Sequence, residues 1–156
     1  PDAPINDYRS GEKILLTQQA PKDFTASVTI DFHNNHKGRG AGLLFRTTAP
    51  SVGYDAHRGY FVGVKPSENA VLLGKMDGSG WRELKRSELP IDVSKKHQLS
   101  ITALGPEFTI SLNGSQLFSF QDSEYQQGTI GLRVVDIPVT FSDLVISPPQ
   151  KGSAQK

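Results

Sequence analysis

Cysteine is missing from this chain, and methionine and tryptophan occur only once each. The first absence removes disulfides, thiolate metal sites and cysteine nucleophiles together. It leaves the compartment open, because many exported bacterial proteins also lack cysteine. Charge of one sign is lacking as well. Seventeen basic residues face sixteen acidic ones, for a net charge of +1, so nothing in the balance favours nucleic acid or an anionic membrane as partner. No apolar run is long enough to span a bilayer, no signal peptide remains, and no window carries sustained helical spacing with caps at both ends. What is abundant is glycine and proline, fifteen and ten in 156 residues. That length and composition fit one domain of many short strands and tight turns.

The alternation of apolar and polar residues supports the same class. Val28, Ile30 and Phe32 alternate with Ser27, Thr29 and Asp31, as in a strand with one buried face. Gly40 to Thr48 is apolar on both faces until Arg46, as in a central strand. Gly59–Lys65, Ala70–Met76 and Trp81–Lys85 are joined by connectors too short for crossovers, which predicts a meander of hairpins. After Pro90, Leu99, Ile101 and Ala103 share a face, and Phe108, Ile110 and Leu112 follow a Gly105-Pro106 turn. Asn113-Gly114 then supplies the strongest short hairpin signal, since a type I′ turn needs positive φ at both residues. Two last strands, Thr129–Val135 and Val139–Ile146, complete about eleven. The expected fold is all-β, a two-sheet antiparallel sandwich of the jelly-roll, concanavalin A-like kind. Residues 1–12 read as a linker or edge segment, 13–147 as the sandwich and 148–156 as a linker or tail, as in a module excised from a longer protein.

Catalytic signals are poor. Gly78-Ser79-Gly80 sits in a hairpin turn rather than between strand and helix, and the glycines at 38, 40 and 42 precede no helix. A sandwich-fold glycosidase needs paired carboxylates, and no strand presents acidic residues at alternate positions. His33 and His36, beside two asparagines, and His57, near Asp55, lack an obvious third metal ligand and read as solvated loop residues. No cofactor is expected beyond, at most, a structural calcium, for which Asp143 is one candidate ligand. Asn113-Gly114-Ser115 matches the glycosylation sequon, but its hairpin role explains it.

Several stretches together carry a family pattern: GRGAGLLFRTT (38–48), RGYFVGV (58–64), LLGKMDGSGW (72–81), HQLSITALGPEFTISLNGSQLF (97–118) and GTIGLRVVDIPVTFSDLVI (128–146). They resemble the concanavalin-like carbohydrate-binding modules of family 66, over roughly Asp23 to Ile146. Laminin-G-like and glucanase-like sandwiches share the LFR…GY and final F-x-D/N-L features. The resemblance implies a non-catalytic module that takes the terminal sugar of a glycan, a fructan among the candidates, in a pocket. Such modules are typically appended to secreted glycoside hydrolases. This implies an extracellular, periplasmic or cell-surface bacterial setting and a monomeric module tethered to a catalytic partner.

By position, the resemblance selects Arg46, Tyr60 and Asp136 as ligand-binding candidates. Arg and Asp suit vicinal hydroxyls through charge-assisted hydrogen bonds, and an aromatic ring suits the C–H face of a sugar. Val135 stands where fructan-binding members can carry an aromatic platform, so Trp81 or Tyr54 is the alternative source of a ring, with Asp55 beside the latter. Each residue also has a structural reading. Arg46 would form an ion pair with a carboxylate, Tyr60 would pack in the core in register with Val62 and Val64, Trp81 would pack too, and Asp136 would cap its turn. Two other functions remain: a small sandwich-fold glycoside-cleaving enzyme, for which Asp136 and Glu83 are the carboxylates to substitute, and a laminin-G-like adhesion domain.

Overall fold

A computed structural model describes residues 5–8, 13–15, 20–37, 40–48, 58–77, 80–135 and 138–149, the first two stretches by their backbone alone. Twelve strands are formed among these residues: β1 (Ile5–Tyr8), β2 (Lys13–Leu15), β3 (Phe24–Asp31), β4 (Gly40–Thr48), β5 (Arg58–Lys65), β6 (Ala70–Asp77), β7 (Trp81–Glu88), β8 (Lys96–Leu104), β9 (Glu107–Leu112), β10 (Ser115–Gln121), β11 (Thr129–Val135) and β12 (Val139–Ser147). They make two six-stranded sheets. The first runs β1-β12-β3-β8-β9-β10 and the second β2-β11-β4-β5-β6-β7. Every neighbour is antiparallel. The expected sandwich is therefore the observed one, and the short strand β1, inside the segment 1–12, forms an edge beside β12.

Alternation sets the core. Phe24, Ala26, Val28 and Ile30 of β3 point inward against Leu43, Phe45, Tyr60 and Val62 of the second sheet, and all are fully buried. Phe45, Tyr60 and Phe108 close the middle of this layer, with ring centroids 4.7–5.2 Å apart. Asn113 and Gly114 take positive φ (53° and 85°), as the β9–β10 turn requires. Asn113 also accepts the Gln98 N–H and contacts His97 at 2.9 Å, which ties that turn to β8.

The two sheets differ outside. On the outer face of the first, Thr25, Ser27 and Thr29 lie opposite Thr102, Ser100 and Gln98, and Thr25 and Thr102 join through their hydroxyls at 2.9 Å. On the second, β4, β5 and β6 are buried on both faces, and a separate apolar cluster of Leu44, Phe61, Leu72 and Met76 lies on the side away from the core.

Candidate functional site

Arg46 does not follow the alternation of its strand. Period two would put it beside Leu44 on the outer face, away from core-facing Phe45. Instead the β4–β5 register shifts between Phe45 and Thr48, and Arg46 adopts φ of +50°. This bulge turns the side chain between the sheets, where it is 2% exposed and its guanidinium carbon lies 5.2 Å from the Phe108 ring centroid. Nη1 donates to the carbonyls of Gly105 (2.7 Å) and Tyr125 (3.3 Å), and Nη2 to that of Lys22 (2.8 Å). Asp23 lies 3.7 Å away, so the ion pair of the structural reading is present, in second place behind three main-chain bonds. A cavity of about 300 Å³ opens beside it, between Lys22–Asp23, Gly105–Pro106 and connector residues Ser123 and Gln126.

Tyr60 is equally committed. Its ring is fully buried, and its hydroxyl donates to Asp122 Oδ2 at 2.5 Å while accepting the Tyr125 N–H at 3.2 Å. Burial, then the hydrogen bond to Asp122, pushes the phenol far above its usual range, so it stays a donor. Burial alone would raise the Asp122 carboxyl, but the bonds from Tyr60 and Lys75 outweigh it and hold the group low. Lys75 completes the set, 3.1 Å from Asp122 and 2.7 Å from Glu124. Tyr125 returns its own hydroxyl to the Met76 carbonyl at 2.9 Å. The structure thus brings Arg46 and Tyr60 together at one segment, 122–128, which carries the chain from the first sheet to the second. Both hold that crossing in place.

Trp81 stands apart from this network. It opens β7 opposite Met76, its indole meets Phe61 edge to face at 6.0 Å, and it is 38% exposed. It is thus an accessible ring on the outer face of the second sheet. Glu83 follows on the same face, opposite Gly74. Arg86 grips Glu83 with two hydrogen bonds (2.8 and 2.9 Å) and Glu68 with a third (2.9 Å), and Lys65 reaches Glu68 at 3.0 Å. Arg86 holds the Glu83 carboxyl below its usual range, and Lys65 and then Arg86 do the same for Glu68. Across the sheet, Arg133 on β11 is 5% exposed, 5.7 Å from the Phe61 ring centroid and 3.7 Å from Met76 Sδ. Along β7 the face therefore offers a ring, ionised carboxylates and the Arg86 guanidinium, groups suited to the apolar and hydroxylated sides of a sugar, while buried Arg133 lies on β11 beyond β4, β5 and β6.

Arg133, Phe61 and Arg86 are absent from the sequence-derived candidates. A period-two reading of GLRVV, with Leu132 and Val134 inward, would have placed Arg133 outward. Asp136, Tyr54 and Asp55 lie outside the described residues. Asp143 takes φ of +53° at an irregular step in β12, and no group of three or more His, Asp or Glu able to hold a metal occurs among the described residues. No helix among them is long and apolar enough to cross a membrane.

Comparison with known proteins agrees with this architecture. The chain is similar to a family 66 carbohydrate-binding module from Bacillus subtilis, with 29% identity and a TM-score of 0.77 over 92% of this chain and 83% of that one. It is 30% identical over 135 residues to levanase of Bacillus subtilis, covering 86% of this chain but 19% of levanase. A galectin of Caenorhabditis elegans shares the fold at 16% identity, with a TM-score of 0.60 over 91% of this chain and 96% of the galectin. The model of the 3-keto-alpha-glucoside-1,2-lyase-like domain matches residues 5–147. The chain belongs to that domain family, and in sequence and fold it is like the family 66 carbohydrate-binding modules.

Proposed function

We propose that this chain is a non-catalytic carbohydrate-binding module that holds the terminal sugar of a glycan on the outer face of its second sheet. In this reading Trp81 stacks on the C–H face of the sugar, while Glu83 and Arg86 bond to its hydroxyls. Arg133 backs the Phe61 ring, which in turn stands against Trp81. Asp136, one residue beyond β11, supplies a further acceptor on its place in the sequence. Arg46 and Tyr60 serve indirectly, by fixing the crossing segment whose Tyr125 hydroxyl bonds to the Met76 carbonyl. The observation that carries the reading is the half-exposed single tryptophan beside a charged network, on a face otherwise closely packed with apolar side chains.

Similarity to a family 66 carbohydrate-binding module and to levanase supports the same class. A module of this kind keeps an attached glycoside hydrolase near its polymer by raising local concentration, outside the cell where such polymers are. Fructan is the first ligand to try, given the levanase relative. Calorimetry of the folded chain against fructans and a panel of other glycans tests the proposal. Binding that is lost in Trp81→Ala is expected, and a folded chain that takes up no glycan would overturn it.

The family description favours one second reading, cleavage of a 3-keto-glucoside by a lyase-like reaction. Incubation with such a glucoside decides it. Product formation that falls on substitution of Glu83 or Asp136 would favour the enzyme over the module.

A further inference from the structure

The glycines of the second sheet are not alike. A methyl group added at Gly42, Gly59 or Gly128 would collide with main-chain atoms of a neighbouring strand, so these positions serve the approach of one backbone to another. Gly74 is different. The three atoms that its added Cβ would meet first all belong to the six-membered ring of the Trp81 indole. Its φ lies outside the left-handed range, so the backbone itself does not call for glycine there. Gly74 pairs with Glu83, which makes Trp81 its diagonal neighbour on the same face. The indole therefore lies flat over the bare backbone of β6, with the Phe61 ring standing against it at 70°.

We propose that Gly74 is a positioning residue for the sugar-stacking ring: the absence of its side chain is the seat that fixes the plane of Trp81. The inference rests on the platform role given to Trp81 above. It follows from the geometry of an exposed ring. Trp81 is held on one side by Phe61 and from below by the sheet, and the remaining side faces solvent. A methyl group under the indole leaves it one way to move, outward. Stacking depends on the orientation of the ring as well as on its presence, so tilting the indole costs affinity without deleting any atom that touches the ligand.

The chain carries a single tryptophan, so its intrinsic fluorescence reports this one ring. Gly74→Ala is expected to shift the emission to the red, to raise quenching by acrylamide, and to weaken glycan binding roughly five- to tenfold, the scale of a lost ring contact. Gly80→Ala makes the same chemical change next to Trp81 where an added Cβ meets nothing within 4 Å. It is expected to leave emission, quenching and affinity unchanged. Unaltered fluorescence in a folded Gly74→Ala protein would overturn the proposal. Altered fluorescence with unaltered affinity would instead sink the platform role of Trp81 and leave the seat standing.

If Gly74→Ala fails to fold, Gly74→Ala combined with Trp81→Ala decides the matter. With no ring to displace, the double variant is expected to be as stable as Trp81→Ala alone. An equal loss in both backgrounds would mean that the backbone needs this glycine, and the seat would be refuted.

Discussion

The outer faces of the two sheets are built from the same strand geometry and carry opposite surfaces. The first presents Thr25, Ser27, Thr29, Ser100 and Thr102, short hydroxyl side chains paired across β3 and β8. The second presents Leu44, Phe61, Leu72, Met76 and Trp81, with glycines at 42, 63 and 74 between them. A sandwich needs only one apolar face per sheet to fold. The second sheet has two. The surplus is a second packed layer, in which Leu44, Phe61, Leu72 and Met76 are buried, with the exposed Trp81 ring and a charged group at its margin. What the difference teaches is that here the fold needs one side of β4, β5 and β6, and the other side carries a second apolar layer with one accessible ring.

The largest effect that would break this comparison comes from the cluster itself. Phe61→Ala is expected to cost about 3 kcal/mol or more in chemical denaturation, since it empties a packed site. The corresponding change on the first sheet, Ser27→Ala, is expected to stay within about 0.5 kcal/mol. Equal costs would mean that the second face is not a packed layer.

Next is the crossing segment that joins the sheets. Asp122→Asn is expected to cost about 1–2 kcal/mol at neutral pH, because it weakens the charge-assisted bonds from Tyr60 and Lys75. The same variant sharpens a pH dependence. The Asp122 carboxyl titrates below its ordinary value in the folded protein. Between that folded value and about 3.9, its range in the unfolded chain, the unfolded state binds more protons. Stability from this group is then fully present above about pH 5 and is lost as the pH falls through the folded value. Denaturation midpoints measured from neutral to acid pH should show a shallower acid slope in Asp122→Asn than in the parent.

Trp81→Ala separates binding from folding. Affinity for the glycan is expected to fall about tenfold or more, roughly 1.4 kcal/mol, while the melting curve moves little because the ring is half-exposed. A smaller effect belongs to the other face. Thr102→Val removes one hydroxyl pair and is expected to cost no more than about 1 kcal/mol, with glycan affinity unchanged. A loss of affinity here would move the binding surface to the first sheet.

The sequence makes most of this architecture readable where alternation is regular. Val28 and Ile30, with Phe32 just beyond the strand, declare the inward face of β3, and Asn113-Gly114 declares the β9–β10 turn. Strand β4 reads as apolar on both sides, which identifies it as central but hides the fact that its two sides do different work. Arg46 is where strict alternation misleads. A one-residue bulge reverses the side it faces, and nothing in Phe45-Arg46-Thr47 announces a positive φ. Its partners are main-chain carbonyls of Lys22, Gly105 and Tyr125, up to 79 positions away, which no local pattern encodes. Trp81 was legible as a candidate because a lone aromatic after a glycine-rich turn stands out. The glycine beneath it was not, because a missing side chain gives no hydropathy signal.

Strand β1 lies antiparallel beside β12, with Ile5 opposite Phe141 and Tyr8 opposite Val139. The chain therefore enters and leaves the sandwich at the same end of one ladder. Tension applied between the two termini would open that ladder like a zipper, one hydrogen-bonded pair at a time, rather than load all its bonds together in shear.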